Sequence, residues 1–202
     1  MKRFVAALMM LSGLLVAGGA NATYTFTFTE SGGNVVATGS GTLNITGLVL
    51  NAIVGGNGYI WPFQSSVVSS DLNNNPMDRY SANLTGPTLG SAGITAKTSN
   101  TGDGVGFWKD SGLLFVPQNY VSGAQLTSSQ TWNGATLALL GLTVGTYTFS
   151  YGTAPNNDSF VVIVGNSPTP AAVPSLSEWA QLMLGLMVMM LIGWHFHRER
   201  SY

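Results

Sequence analysis

The chain contains no cysteine. No disulfide framework can staple it, and neither a thiolate metal site nor a cysteine nucleophile can be built from it. Charge is scarce as well. Only 7% of the 202 residues are Asp, Glu, Lys or Arg, whereas roughly 25% is ordinary for a soluble domain. The formal net charge is −1, so the basic surface that nucleic acid requires is missing and no nucleic-acid partner is expected. Histidine occurs only at His195 and His197, close to the C-terminus. The residues before them cannot assemble a Ser-His-Asp nucleophile or a zinc site of the usual type. No cofactor and no metal are expected. What the chain does have is 26 Gly, many hydroxyl and amide side chains, and 45% hydrophobic residues. Disordered chains lack such aromatic and β-branched content. The composition points to an exported β-protein.

Both ends carry apolar stretches. Lys2 and Arg3 supply a positive start, and residues 4–17 form an apolar run too short to span a bilayer comfortably. Gly18 and Gly19 break it, and Ala20-Asn21-Ala22 gives the small-x-small pattern that a signal peptidase accepts. A signal peptide over residues 1–22, cut after Ala22 and recognised through Ala20 and Ala22, is the expectation. An uncleaved N-terminal anchor is the alternative. At the other end, Gln181 is the only clearly polar side chain between Trp179 and Trp194. At about 1.5 Å per residue this stretch reaches about 24 Å, or about 28 Å through His197, a short but usable membrane span. A single transmembrane helix over residues 177–197 is expected, with Ser177 as N-cap and Glu178 in its first turn. Arg198 and Arg200 lie in a basic tail, residues 198–202, that the positive-inside rule places in the cytoplasm. A buried core helix is the bland alternative, but residues 182–194 offer no polar face. His195 and His197 are read as interfacial polar residues rather than a metal pair. Before the helix, residues 166–176 form a linker in which Pro168, Pro170 and Pro174 keep the backbone extended.

Val173-Pro174-Ser175-Leu176-Ser177-Glu178-Trp179, followed by an apolar helix and a short basic tail, resembles the IPTL-CTERM sorting signal, a relative of the PEP-CTERM signal of Gram-negative bacteria. The family pattern begins Ile-Pro-Thr-Leu and usually closes on Trp-Gly. Here Val173 stands for Ile, Ser175 for Thr, and Ala180 follows Trp179. The resemblance covers about the last thirty residues. It implies processing by an exosortase, a membrane enzyme with a cysteine nucleophile, which would remove the helix and leave the ectodomain at the cell surface or outside the cell. The chain resembles that enzyme's substrate, so no catalytic residue is expected in it.

Residues 23–165 form the exported domain. Arg79, Lys97 and Lys109 stand against Glu30, Asp71, Asp78, Asp103, Asp110 and Asp158, a net of −3. Its periodicity is that of strands. In residues 23–29 threonine alternates with Tyr24, Phe26 and Phe28, which must share one face. Residues 31–34 read as a turn and residues 35–38 as the returning strand. Residues 42–46 alternate again. Residues 146–151 and 159–164 form an aromatic hairpin around the loop 154–158. Residues 105–109, 113–116 and 131–139 are short candidates. An all-β sandwich or jelly-roll-like domain is expected. Residues 36–43, 141–149 and 158–160 also resemble scattered blocks of a recurrent exported domain that precedes PEP-CTERM tails, a group with no activity to carry over.

Paired carboxylates are the one catalytic option, as in a glycoside hydrolase. However, Asp71, Asp103 and Asp158 sit beside turn residues, where aspartate usually caps its own backbone. Asp71-Leu72-Asn73-Asn74-Asn75 matches the first ligand positions of a calcium loop, but Pro76 and Ala82 occupy the places of the required Gly and Glu, which excludes an EF-hand. A looser calcium site at Asp71 or Asp78 stays open. Asn44, Asn83 and Asn157 begin N-glycosylation patterns that carry little weight in a bacterial chain. Among Tyr59, Trp61, Tyr80, Trp108, Tyr120 and Trp132 most rings are expected to fill the core. Trp61, Trp108 and Trp132 are the candidates for stacking on a sugar. The expected role is therefore non-catalytic: a structural or interaction protein of the surface, processed by signal peptidase and exosortase at the membrane. A module binding exopolysaccharide is the alternative, and a carboxylate-only hydrolase the second.

Overall fold

Threonine alternating with aromatic residues builds the first sheet. The computed structural model describes residues 23–70, 73 and 75–165. The expected signal peptide with Ala20 and Ala22, the linker and sorting motif Val173 to Trp179, the transmembrane helix, the tail with Arg198 and Arg200, His195, His197 and Asp71 lie outside the described residues. In β1 (Thr23–Ser31), Tyr24, Phe26 and Phe28 are buried while the intervening threonines stay partly exposed. Gly32 and Gly33, both at positive φ, turn the chain into β2 (Asn34–Gly41), which pairs antiparallel with β1. A two-residue turn with both φ positive matches the twist of the flanking strands. β11 (Leu126–Asn133) adds beside β2, and β8 (Ser99–Gly102) beside β11. On the other side of β1 lies β13 (Asp158–Val164), parallel to it, and then its hairpin partner β12 (Gly145–Tyr151). The six-stranded order is β12-β13-β1-β2-β11-β8.

The second sheet is antiparallel throughout and has seven strands. In spatial order they are β3 (Val49–Gly55), β6 (Pro76–Ser81), β10 (Leu113–Pro117), β9 (Gly106–Trp108), β5 (Ser66–Val68), β4 (Tyr59–Trp61) and β7 (Thr95–Ala96). The two sheets face each other across one apolar core. Phe107 of the second sheet lies 4.6 Å from Phe149 and 4.8 Å from Phe160 of the first, ring centre to ring centre. Such tilted pairs add about 0.5–1.5 kcal/mol each beyond burial. The domain is thus an all-β, two-sheet sandwich. The described residues contain no helix long and apolar enough to cross a membrane.

One side chain reaches across a strand. The Tyr24 ring passes over Gly39 of β2 and its hydroxyl meets Ser128 Oγ on β11 at 2.8 Å. A Cβ at Gly39 would collide with that ring, so glycine is what allows the bond.

Two expected strands are corrected. Residues 42–46 alternate and do bury Leu43, but no strand forms there. Their backbone donors are taken by side chains instead: Leu43 N–H by the Tyr120 hydroxyl, Asn44 N–H by Asp158 and Ile45 N–H by Ser122. Of residues 131–139, only the first three are extended, at the end of β11. Beyond Gly134 the chain makes a helical turn, closed by Leu140 N–H to Thr136 O at 3.0 Å. Glu30 Oε1 accepts the Leu137 N–H at 2.7 Å, and Thr136 Oγ1 accepts the Leu139 N–H at 3.1 Å, so two of the free donors of that turn are capped.

Candidate functional site

The β4–β5 hairpin carries three aromatic residues that are not buried, Tyr59, Trp61 and Phe63. Tyr59 and Trp61 alternate with the buried Ile60, so their side chains leave the core face. The turn that follows, Pro62 to Ser65, is closed by Ser65 N–H to Pro62 O at 3.1 Å, and Ser65 adopts a positive φ of 47. Phe63 stands on this turn with 60% of its surface exposed. Trp61 pairs with Ser66 of β5, and Ser66 pairs with Trp108 of β9. The three residues form one row across adjacent strands.

That row explains the geometry of the two indoles. Strands lie about 4.8 Å apart, so the backbones of Trp61 and Trp108 are about 9.6 Å apart across β5. Their ring centres are only 5.6 Å apart, tilted by 39°. The rings therefore lean toward each other above the small, buried Ser66, whose single hydroxyl proton is within reach of Phe107 O at 3.0 Å and of the Tyr59 hydroxyl oxygen at 3.3 Å. Burial pushes the Tyr59 phenol up from its ordinary pKa, against the opposing pull of Ser66.

Trp108 is held at two points. Its flank packs on a small outer cluster of Val68, Met77 and Phe115. Its indole Nε1 donates to Gln64 Oε1 at 2.9 Å. Because an indole can only donate, that bond fixes which end of the Gln64 amide faces it, and the Nε2 points away. The adjacent Lys109 and Asp110 pair with each other at 2.8 Å. Trp132, the third expected stacking residue, belongs elsewhere. It is 2% exposed, lies 5.9 Å from Phe28 and donates its Nε1 to Thr95 O. Its alternation along β11 turns it into the core, so it shares no surface with Trp61 and Trp108.

Each of the five described carboxylates has a partner within the domain. Glu30 caps the turn after β11. Asp78 accepts the Asn119 N–H at 2.9 Å, Asp103 the Thr127 N–H at 2.8 Å, and Asp110 holds Lys109. Asp158 accepts from Asn44 N, Ser159 N and the Tyr151 hydroxyl. Burial lifts Asp158 above the ordinary carboxylate range, although all three hydrogen bonds pull the other way. No hydrogen-bond partner is shared by two of these acids among the described residues. Nor do the described residues bring three metal-ligating side chains together. Asp78 points into the sandwich and is buried. An open cleft of about 380 Å³, lined by Asn75, Met77, Gly102, Asp103, Pro117 and Gln118, offers one carboxylate and two amides.

Sequence reasoning singled out Trp61 and Trp108 but missed Phe63 and Gln64. The run Trp61-Pro62-Phe63-Gln64 between two short apolar segments was the available signal. Comparison with protein-family models, curated proteins and solved structures finds no match to the chain.

Proposed function

We propose that this chain is an exported, non-catalytic protein of a Gram-negative cell envelope, anchored briefly by a helix over residues 177–197 and then processed at its C-terminal sorting motif. The observation that carries this reading is the layout of the sequence: a cleavable apolar leader, a β-domain, a proline-rich linker, then Val173 to Trp179 followed by an apolar run and Arg198 and Arg200. Signal peptidase and an exosortase are its processing partners, the membrane its transient support, and the surface or extracellular matrix its destination. The domain supports a non-catalytic role through chemistry already described: Glu30, Asp78, Asp103 and Asp158 cap backbone donors, and residues 23–165 hold neither His nor Cys.

The test is the mass of the mature protein from its producing cells. Cleavage after Ala22 and loss of the apolar C-terminal segment are expected. Substituting Pro174 and Trp179 should trap a longer, membrane-bound form; an unchanged mature mass in that variant refutes the sorting role. A second reading, that the domain holds exopolysaccharide, is favoured by the paired, partly exposed indoles of Trp61 and Trp108.

A further inference from the structure

We propose that Trp61, Phe63, Gln64 and Trp108 form a binding site for an uncharged polysaccharide, with its pyranose rings lying against the two indoles. The proposal deepens the second reading above and rests on it.

Four features lead there. First, the core takes Tyr24, Phe26, Phe28, Phe107, Trp132, Phe149, Tyr151 and Phe160, and the partly buried Tyr80, Tyr120 and Tyr147 pack against it. Trp61, Phe63 and Trp108 pack on no part of that core, and they gather on one hairpin and its neighbouring strand. Second, the platform is fixed before any ligand arrives. Trp108 is wedged by the outer cluster and tied to Gln64, and both indoles are seated over Ser66. A preset ring loses little freedom on binding. Third, the polar groups suit hydroxyls. Gln64 Nε2 makes no hydrogen bond among the described residues and stands beside the rings, a donor for a sugar oxygen. Apolar walls with a few oriented polar groups are the usual make-up of a small-ligand site. The C–H face of a pyranose packs on an indole while its equatorial hydroxyls point to the rim. Fourth, the neighbouring charges cancel. Lys109 and Asp110 are consumed by each other. Among the described residues no unpaired charge is recorded beside the rings to hold a sulfate, uronate or phosphate, so a neutral polymer is the matching occupant.

The experiment runs the full-length chain, in detergent, through native gels cast with hydroxyethylcellulose, laminarin or galactomannan, with polygalacturonate as the anionic control. Tryptophan emission is followed in parallel. Retardation by at least one neutral polymer, with a shift in emission, is expected. Trp61→Ala and Trp108→Ala should each weaken binding roughly tenfold, which corresponds to about 1.4 kcal/mol. Trp61→Phe should keep most of it. Trp108→Ala also uncovers the outer cluster, so Phe63→Ala, at an exposed position, provides a second variant that leaves the fold intact, and it should weaken binding too. No retardation by any neutral polymer overturns the site. So does preference for polygalacturonate, or binding that survives the Trp61→Ala/Trp108→Ala double change. The gels read the purified chain, so their outcome is independent of C-terminal processing, whose failure appears only in the mature mass.

Discussion

The carboxylate of Asp158 accepts a hydrogen bond from the backbone N–H of Asn44 at 2.7 Å, across 114 residues of sequence. The same side chain takes the Ser159 N–H at 2.6 Å and the Tyr151 hydroxyl at 2.9 Å. A buried acid thus pins the coil after β2 to the start of β13. Asp158→Ala strands three donors, two of them on the backbone. A loss of about 1–3 kcal/mol is expected. Urea titration reads it as a lower midpoint with an unchanged slope. A midpoint equal to that of the parent would show that water replaces the carboxylate without loss.

The same residue gives stability a direction with pH. Its pKa is raised in the folded chain, chiefly by burial, above the ordinary 3.8. Folding therefore favours the protonated form. This contribution is fully present below pH 3.8 and is lost as pH rises through the folded value. Asp158→Asn cannot titrate, so its stability relative to the parent should improve as pH rises through that window. A constant difference between the two proteins across the window contradicts the raised pKa.

Phe107 joins the two sheets through Phe149 and Phe160. Phe107→Ala leaves a cavity between rings that belong to different strands, and a loss of about 3–5 kcal/mol follows from the usual cost of deleting a buried ring. Thermal unfolding of Phe107→Leu and Phe107→Ala should fall in that order. Equal effects would mean that the core closes over the gap.

Tyr24 and Gly39 form a matched pair. Tyr24→Phe removes one buried hydroxyl and leaves Ser128 without its partner, a loss of about 0.5–1.5 kcal/mol. Gly39→Ala puts a methyl group where the Tyr24 ring crosses β2, so the ring has to leave its place. The larger loss belongs to Gly39→Ala, and combining the two changes should cost less than their sum. Strict additivity, measured by denaturant midpoints, would separate the two positions.

Four strands of the first sheet were legible, whereas β8 and the first five residues of β11 were not. β1 and β12 announce themselves by threonine or serine alternating with aromatic residues, and β2 and β13 as the runs that pair with them, β2 across a glycine turn and β13 across the loop 154–158. The second sheet lacks that signature for physical reasons. β5 is three residues long and buried on both faces, since the outer cluster of Val68, Met77 and Phe115 covers part of the side away from the core. β3 is apolar yet sits at a sheet edge, with Val49 69% and Ile53 56% exposed, so its hydrophobicity does not report burial. The coil at residues 42–46 alternates like a strand, and only the distant Tyr120, Asp158 and Ser122 reveal where its donors go. The Trp61–Trp108 pair could not be read either. The two residues are 47 positions apart, and what joins them is the register of β5, which sequence periodicity does not encode.

The parallel neighbours β1 and β13 are the first and last strands of the domain, aligned from Thr23 with Ser159 to Phe28 with Val164. The chain enters beside the start of β13 and leaves beside the far end of β1. Tension applied to the two ends would load the hydrogen bonds between these strands in shear, all at once, rather than peeling them one by one. The clasp also cannot close until the last strand has emerged, so the sandwich is completed only after the whole of it has been delivered.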